Sequence, residues 1–400
     1  MHGGDVVARP PQPLAGRRIW FVGIGGAGLS AYAFLARAWG AEVGGWDRTE
    51  TPYLAALEGV EVELGPVPAG RDGWEIVVST AYAGQVEGRS RAELLAELVS
   101  LRRSIVVSGA HGKTTTSGMI AFVLAELGHD PAWLVGGELP QLGGNAGAGE
   151  GWLVVEGDES DRTVEALRPE IAVVTNVELD HHATFASGAE VRELFDRWLQ
   201  EVPLVVRGWE LAPAELELAI PGEHNRRNAA AALVALELAG VARADAEPVL
   251  ARFRGAGRRF EHVGVAAGVT VVDDYAHHPA EIAATIAAAR ERIEGRVLVL
   301  FQPHLYTRTR HLAHEFGVAL SAADAVCVTE IYRAREQPLP GVSGKLVVDA
   351  LRPGLRAGWA PEVEQGAALV AGWARPGDLV LTLGAGDVER AGPLILAALS

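Results

Sequence analysis

Short runs of consecutive apolar residues alternate along the chain with longer stretches in which Ala and Leu recur at helical spacing. The runs at 19–22, 76–79, 105–107, 153–155, 171–175, 269–273, 297–301, 325–328 and 379–383 are rich in Val, Ile and Leu. Several are apolar at successive rather than alternate positions, as in parallel strands covered on both faces. The succession predicts an α/β fold built on parallel sheets. A helix is predicted over 114–127, closed by Gly128, and an Ala-rich helix is opened by the segment 221–228. No fixed-period repeat interrupts the pattern.

The pattern divides into three units, 1–103, 104–253 and 254–400. The junction Gly-Ala-Gly-Arg-Arg-Phe at 255–260 is a plausible hinge. At 400 residues, with 49% hydrophobic and 22% charged, the chain has the balance of a globular protein of two or three domains. No run of about 18 apolar residues is present. The first residues lack the charged-then-apolar order of a signal peptide. Cys327 is the single cysteine, which fits a reducing cytoplasm. The net charge of −16 speaks against nucleic-acid partners. Only two of the 35 cations are lysines, Lys113 and Lys345. Arginine replaces lysine at little cost on a solvated surface, but not where a compact ammonium must fit.

Lys113 lies in Ser-Gly-Ala-His-Gly-Lys-Thr-Thr (108–115), after a strand and at the start of a helix. That is the setting of a phosphate-binding loop, in which backbone N–H groups and a helix N-terminus take phosphate oxygens. Lys113 then reaches the terminal phosphates, and the Thr114 hydroxyl is placed to hold Mg²⁺. Val107 stands where the usual first glycine of such loops would be. A second glycine loop, Gly-Ile-Gly-Gly-Ala-Gly (23–28), follows the first strand, with Asp47 further on. By itself it fits a dinucleotide or another diphosphate, such as a UDP-sugar.

Further polar clusters sit at predicted strand ends. Glu-Gly-Asp-Glu-Ser-Asp (156–161) and Thr-Asn-Val-Glu-Leu-Asp-His-His (175–182) supply carboxylates and histidines beside the phosphate loop. With Thr114 they suit Mg²⁺, a hard cation that prefers oxygen. Helix capping by Asp and Ser is the plainer alternative. Asp-Asp-Tyr-Ala-His-His-Pro (273–279), Phe-Gln-Pro-His-Leu-Tyr-Thr-Arg (301–308) and Gly-Ala-Gly-Asp (384–387) end strands of the third unit.

In order and in kind these motifs resemble the Mur ligases, over nearly the whole chain. The segments from 23–28 through 108–116, 156–161, 175–182, 221–228, 257–261, 273–279, 301–309 and 330–344 to 383–387 carry the resemblance, most strongly to the branch that adds alanine. It implies three α/β domains: Rossmann-like for a UDP-sugar, P-loop-type for ATP, and Rossmann-like for the amino acid and closure. The implied reaction is ATP-driven joining of L-alanine to UDP-N-acetylmuramate through an acyl phosphate, a step of peptidoglycan precursor synthesis. The branch that attaches a ready-made peptide to the same sugar is the nearest rival.

The resemblance also implies roles for residues. Gly109, His111, Gly112, Lys113, Thr114 and Thr115 would hold the ATP phosphates. Thr114, Glu156 and His181 would ligate Mg²⁺. Asn225 and Asn228 would lie near adenine, Arg259 near the phosphates and Asp274 near the ribose. Gly25, Gly26, Ala27 and Gly28 would hold the UDP diphosphate. Tyr275, His277, His304 and Arg308 would face the acyl phosphate and alanine. Two positions depart from the family's usual residues: Ala110 stands for Thr and Leu305 for Arg. A nucleotide-dependent dehydrogenase, resting on the first glycine loop and Asp47, and a non-catalytic ATP-binding switch are the readings from other classes.

Overall fold

The computed structural model describes residues 12–179, 184–334 and 336–400. They form two compact units, Met1–Leu211 with Ala230–Leu250, and Ala212–Ala229 with Ala251–Ser400.

The first unit holds two sheets. One is built from β1 (Arg18–Val22), β2 (Glu42–Asp47), β3 (Glu61–Leu64), β4 (Glu75–Val78) and β5 (Arg89–Ser90), all parallel, in the order β3-β2-β1-β4-β5. Helices α1 (Ala27–Ala38) and α2 (Arg91–Leu101) accompany it. Ser90 caps α2 in a reciprocal box with Glu93. The other sheet contains β6 (Ser104–Ser108), β7 (Ala132–Leu134), β8 (Ala146–Ala148), β9 (Leu153–Glu156), β10 (Ile171–Val174) and β11 (Leu204–Arg207), ordered β11-β10-β6-β9-β7-β8. Only β8 runs antiparallel to its neighbour. Helix α3 (Lys113–Glu126) follows β6 and α4 (Gly188–Leu199) follows β10. Strands β6 and β10 and most of α3 are buried, which is why their sequences are apolar at successive positions.

Helix α5 (Glu223–Leu238) crosses the boundary between the units, and α6 (Arg243–Leu250) follows. The second unit's sheet has β12 (Glu261–Ala266), β13 (Val269–Asp274), β14 (Val297–Phe301), β15 (Ala325–Val328), β16 (Arg356–Trp359) and β17 (Leu379–Leu383). Its order is β12-β13-β17-β14-β15-β16, with only β12 antiparallel. Helices α7 (Pro279–Arg290), α8 (Tyr306–Leu320), α9 (Lys345–Asp349), α10 (Val363–Ala371) and α11 (Ala391–Leu399) complete it. Two apolar clusters form its core. Ile282, Ile286, Phe316 and Leu320 lie in one, and Val363, Val370, Ala391 and Ile395 in the other.

Each central trio of strands is parallel, so their following loops emerge at one end. In the first unit these loops follow β9, β6 and β10, and in the second β13, β17 and β14. That end is where ligands bind in open α/β sheets.

Candidate active site

The phosphate-loop segment leaves β6 and enters α3 through Gly112, a left-handed N-cap. Gly109 has φ +126°, and a Cβ there would run into the Thr175 hydroxyl. Only glycine lets the loop lie so close to the end of β10. That neighbour also holds the loop. The Thr175 hydroxyl donates to the His111 carbonyl at 2.6 Å, and the Asn176 amide donates to the same oxygen at 2.8 Å. The His111 N–H in turn donates to Asn176 Oδ1 at 3.1 Å.

Lys113 folds back along its loop. Its ammonium donates to the Gly109 carbonyl at 2.6 Å and to Glu159 Oε2 at 3.0 Å. The Glu159 side chain is 3% exposed. Burial works against the Lys113 charge, but the carboxylates of Glu159, Asp158 and Glu156 hold the ammonium above its ordinary value. Thr114 and Thr115 are buried at the start of α3.

The acidic segment after β9 divides its carboxylates among different tasks. Glu156, opposite Val107 in the ladder, accepts from the Gly136 N–H at 2.6 Å. Asp158 accepts from the Ser160 N–H and Asp161 from the Thr163 N–H, so these two shape their own loop. Thr114 stands at the start of α3 and Glu156 at the end of β9, the strand beside β6; both carry oxygen donors of the kind Mg²⁺ takes. His181 lies outside the described residues, which contain no group of three His, Cys, Asp or Glu fit to hold a metal.

The first glycine loop is tied to β2. The Gly25 N–H donates to Asp47 Oδ2 at 2.7 Å, and the Thr51 hydroxyl donates to the Gly25 carbonyl at 2.7 Å. The other Asp47 oxygen accepts from the Arg48 N–H. Asp47 is thus engaged with backbone, which speaks against its use as the ribose-binding acid of a dehydrogenase. Gly26 is the N-cap of α1, which starts at Ala27. Beside Gly28 stands Arg91, whose guanidinium is 3.2 Å from where a Cβ on Gly28 would lie. Arg91 also pairs with Asp161 at 3.7 Å. Tyr32, on α1, is buried, and its hydroxyl is pushed up to about 12, chiefly by burial.

In the second unit the loops after β13, β14 and β15 form an aromatic and histidine chain. Tyr275 meets His277 edge-on at 5.1 Å, His277 meets His304 at 5.9 Å, and His304 stacks on Tyr332 at 5.8 Å. His277 Nδ1 lies 3.0 Å from the Tyr275 carbonyl and 3.3 Å from Glu281. Arg308, buried on α8, reaches to 3.4 Å from His304 Nδ1. Leu305 is held at φ +71°, a region that costs a side chain energy, and its N–H donates to the Tyr332 carbonyl.

Asp274 accepts from the backbone N–H groups of Phe260 and Ala276, and burial pushes its pKa up to about 6. Arg259 lies over the Tyr275 ring and 3.7 Å from Glu281. Its neighbour Arg258 donates to Asp273 and to the carbonyls of Gly384 and Gly386, which pins β13 to the loop after β17. Asn225 donates to the Pro221 carbonyl at 2.6 Å, and both Asn225 and Asn228 are buried.

The motif reading missed Glu159 as the partner of Lys113, Asn176 as the brace of the phosphate loop, and Arg91, Arg258 and Tyr332. Glu159 and Asn176 stood inside motifs already singled out. Nothing in their spacing distinguished a brace from a ligand.

Residues 107–206 match the Mur ligase middle domain, and residues 258–386 match the Mur ligase glutamate ligase domain. A UDP-N-acetylmuramate–L-alanine ligase of Mycobacterium sp. (strain JLS) is 39% identical, covering 98% of this chain and 97% of that one. The corresponding ligase of Streptomyces coelicolor is also 39% identical, covering 98% and 99%. Among solved structures, the UDP-N-acetylmuramate–alanine ligase of Thermotoga maritima superposes with a TM-score of 0.77 at 26% identity, covering 95% of this chain and 98% of that one. A murein peptide ligase of Psychrobacter arcticus shares the fold, with a TM-score of 0.64 at 22% identity over 96% and 99%.

Proposed function

The chain belongs to the Mur ligase family, and from that premise we propose that it joins L-alanine to UDP-N-acetylmuramate with conversion of ATP to ADP and phosphate. The observation that carries this reading is the full-length similarity to alanine-adding ligases, together with a phosphate loop beside a carboxylate-bearing strand end.

The chemistry follows from the substrates. A carboxylate is a poor electrophile, so the lactyl carboxylate of the sugar first attacks the γ-phosphorus and ADP leaves. The neutral alanine amine then attacks the carbonyl carbon of the acyl phosphate, the tetrahedral intermediate loses the amine's extra proton and collapses, and inorganic phosphate leaves. Lys113 and the backbone amides of 109–115 meet the phosphates and stabilise charge that grows on the transferred group. Thr114, Glu156 and His181 would hold Mg²⁺, which supplies further charge neutralisation. Asn225 and Asn228 serve the adenine, and Arg259 and Asp274 the phosphates and ribose. Gly25, Gly26, Ala27 and Gly28 take the UDP diphosphate, an anion suited to the start of α1. His277, His304, Arg308 and Tyr275 attend the acyl phosphate and the amino acid. The domains 1–103, 104–253 and 254–400 would divide the work among sugar nucleotide, ATP and amino acid. The reaction places the protein in the cytoplasm, where nucleotide-linked precursors of peptidoglycan are made.

The test is phosphate release with ATP, UDP-N-acetylmuramate and a panel of L-alanine, L-serine, glycine and an alanyl tripeptide. Release that needs all three substrates and prefers L-alanine, with a product heavier by one alanyl residue, is expected. Preference for the tripeptide would move the chain to the peptide-attaching branch. Reduction of a nicotinamide cofactor would overturn the reading.

A further inference from the structure

We infer that Glu159 is a positioning residue for the phosphate-loop lysine, fixing the direction in which Lys113 presents its charge. The inference rests on the reading that Lys113 meets the nucleotide phosphates.

A lysine ammonium carries three N–H donors on a flexible four-carbon stem. Here one donor goes to the Gly109 carbonyl at 2.6 Å, and Glu159 takes another with Oε2 at 3.0 Å and Oε1 at 3.3 Å. The Ala110 carbonyl, at 3.5 Å, is a marginal contact. Two fixed acceptors on a tetrahedral nitrogen determine where its third N–H points. Both acceptors are themselves held. Gly109 belongs to the loop braced by Thr175 and Asn176. Glu159 is buried in a loop whose turns are set by Asp158 to the Ser160 N–H and Asp161 to the Thr163 N–H. The Arg162 N–H also donates to the Glu159 carbonyl at 3.1 Å.

The physical consequence is specific. Backbone amides and the start of α3 can bind a triphosphate without a well-aimed lysine. Charge that grows on the phosphoryl group during transfer needs a cation already in place. Releasing Lys113 from Glu159 therefore affects the chemical step more than nucleotide binding.

The experiment is steady-state kinetics of Glu159→Ala and Glu159→Gln with ATP, UDP-N-acetylmuramate and L-alanine, with Tm measured alongside. Glu159→Ala is expected to lose roughly 30-fold or more in kcat, with KM for ATP and for the UDP-sugar within about 3-fold of the parent. Glu159→Gln keeps the shape and an acceptor oxygen but not the charge, so its kcat falls between the two. Parent-like kcat in Glu159→Ala overturns the inference. So does a loss in which kcat and Tm fall while both KM values rise together. The controls separate this from the underlying reading. Turnover by Lys113→Ala removes the phosphate role itself, whereas an inactive Lys113→Ala beside a parent-like Glu159→Ala removes only the role of Glu159.

Discussion

At the scale of single residues, Lys113 is one of two lysines in the chain and the one that sits in the phosphate loop. Lys113→Ala is expected to abolish phosphate release while UDP-sugar binding, measured by calorimetry, stays near that of the parent. Lys113→Arg should be nearly as poor. A planar guanidinium does not fit between the Gly109 carbonyl and the Glu159 carboxylate as a compact ammonium does. Arg308 offers a second test. Leu305 leaves the loop after β14 without the cation that the family usually has there, and Arg308 lies beside His304. Loss of a charge-assisted hydrogen bond costs about 1.5–3 kcal/mol, so Arg308→Ala should lower kcat/KM for alanine by at least roughly tenfold. Leu305→Arg should be tolerated, because the φ of +71° strains any side-chain-bearing residue alike. Parent-like kinetics in Arg308→Ala would remove the loop after β14 from the site.

At the scale of elements, the phosphate loop depends on a strand it does not belong to. The end of β10 supplies Thr175 and Asn176, and Asn176 both donates to and accepts from His111. Asn176→Ala leaves the His111 backbone without these partners. The expected result is a several-fold higher KM for ATP and a modestly lower Tm, with KM for the UDP-sugar unchanged. Equal shifts in both KM values would mean that the sheet has been disturbed rather than the loop. Gly222, at the start of α5, is restricted by its own helix. Its φ is +100°, and a Cβ would lie 2.6 Å from the His224 ring. Gly222→Ala is expected to cost about 1–3 kcal/mol, read as a fall in the midpoint of denaturant unfolding.

At the scale of the whole molecule, two titratable groups of the second unit, the half-buried His224 and the buried Asp274, act on stability in opposite senses. His224 is pushed down to about 4 by burial and then by Arg259, with Arg226 acting the same way and Glu291 and Glu281 opposing. An unfolded histidine takes up its proton near 6.5, so acidification from there to about 4 favours the unfolded chain at this residue. Asp274 is pushed up to about 6, first by burial, against Arg259 and the N–H groups of Ala276 and Phe260. Unfolded, it titrates near 3.8, so between about 6 and 3.8 the folded state holds the extra proton and gains stability as pH falls. The two effects offset each other over nearly the same window. Asp274→Asn should therefore make Tm fall more steeply than in the parent between pH 6.5 and 4, and His224→Gln less steeply. Curves parallel to the parent's in both variants would contradict the burial of these groups.

The sequence by itself determined the strands that run through the middle of each sheet, the loops at their ends and membership of the family. The apolar runs at 105–107, 153–155, 171–175, 297–301 and 379–383 all became buried strands, because a strand covered on both faces must be apolar throughout. The strands that the pattern did not reveal are largely those at sheet margins. β3, β12 and β16 are edge strands with no buried residue, so burial left little mark on them. β2 is interior, but Gly44 and Gly45 thin its apolar run, since Trp20 and Ile24 fill the space where their side chains would be. What only the tertiary structure decided is the division of labour within each motif. Glu159 grips Lys113 across 46 residues of sequence, and Arg258 reaches the Gly386 carbonyl across 128. Among the carboxylates of 156–161, one meets the lysine while two shape their own loop. All are acidic residues at a strand end, and the sequence presents them as equivalent. Which one faces a cation and which one caps an amide depends on the register of neighbouring strands and the path of the loop, and these exist only once the sheet has formed.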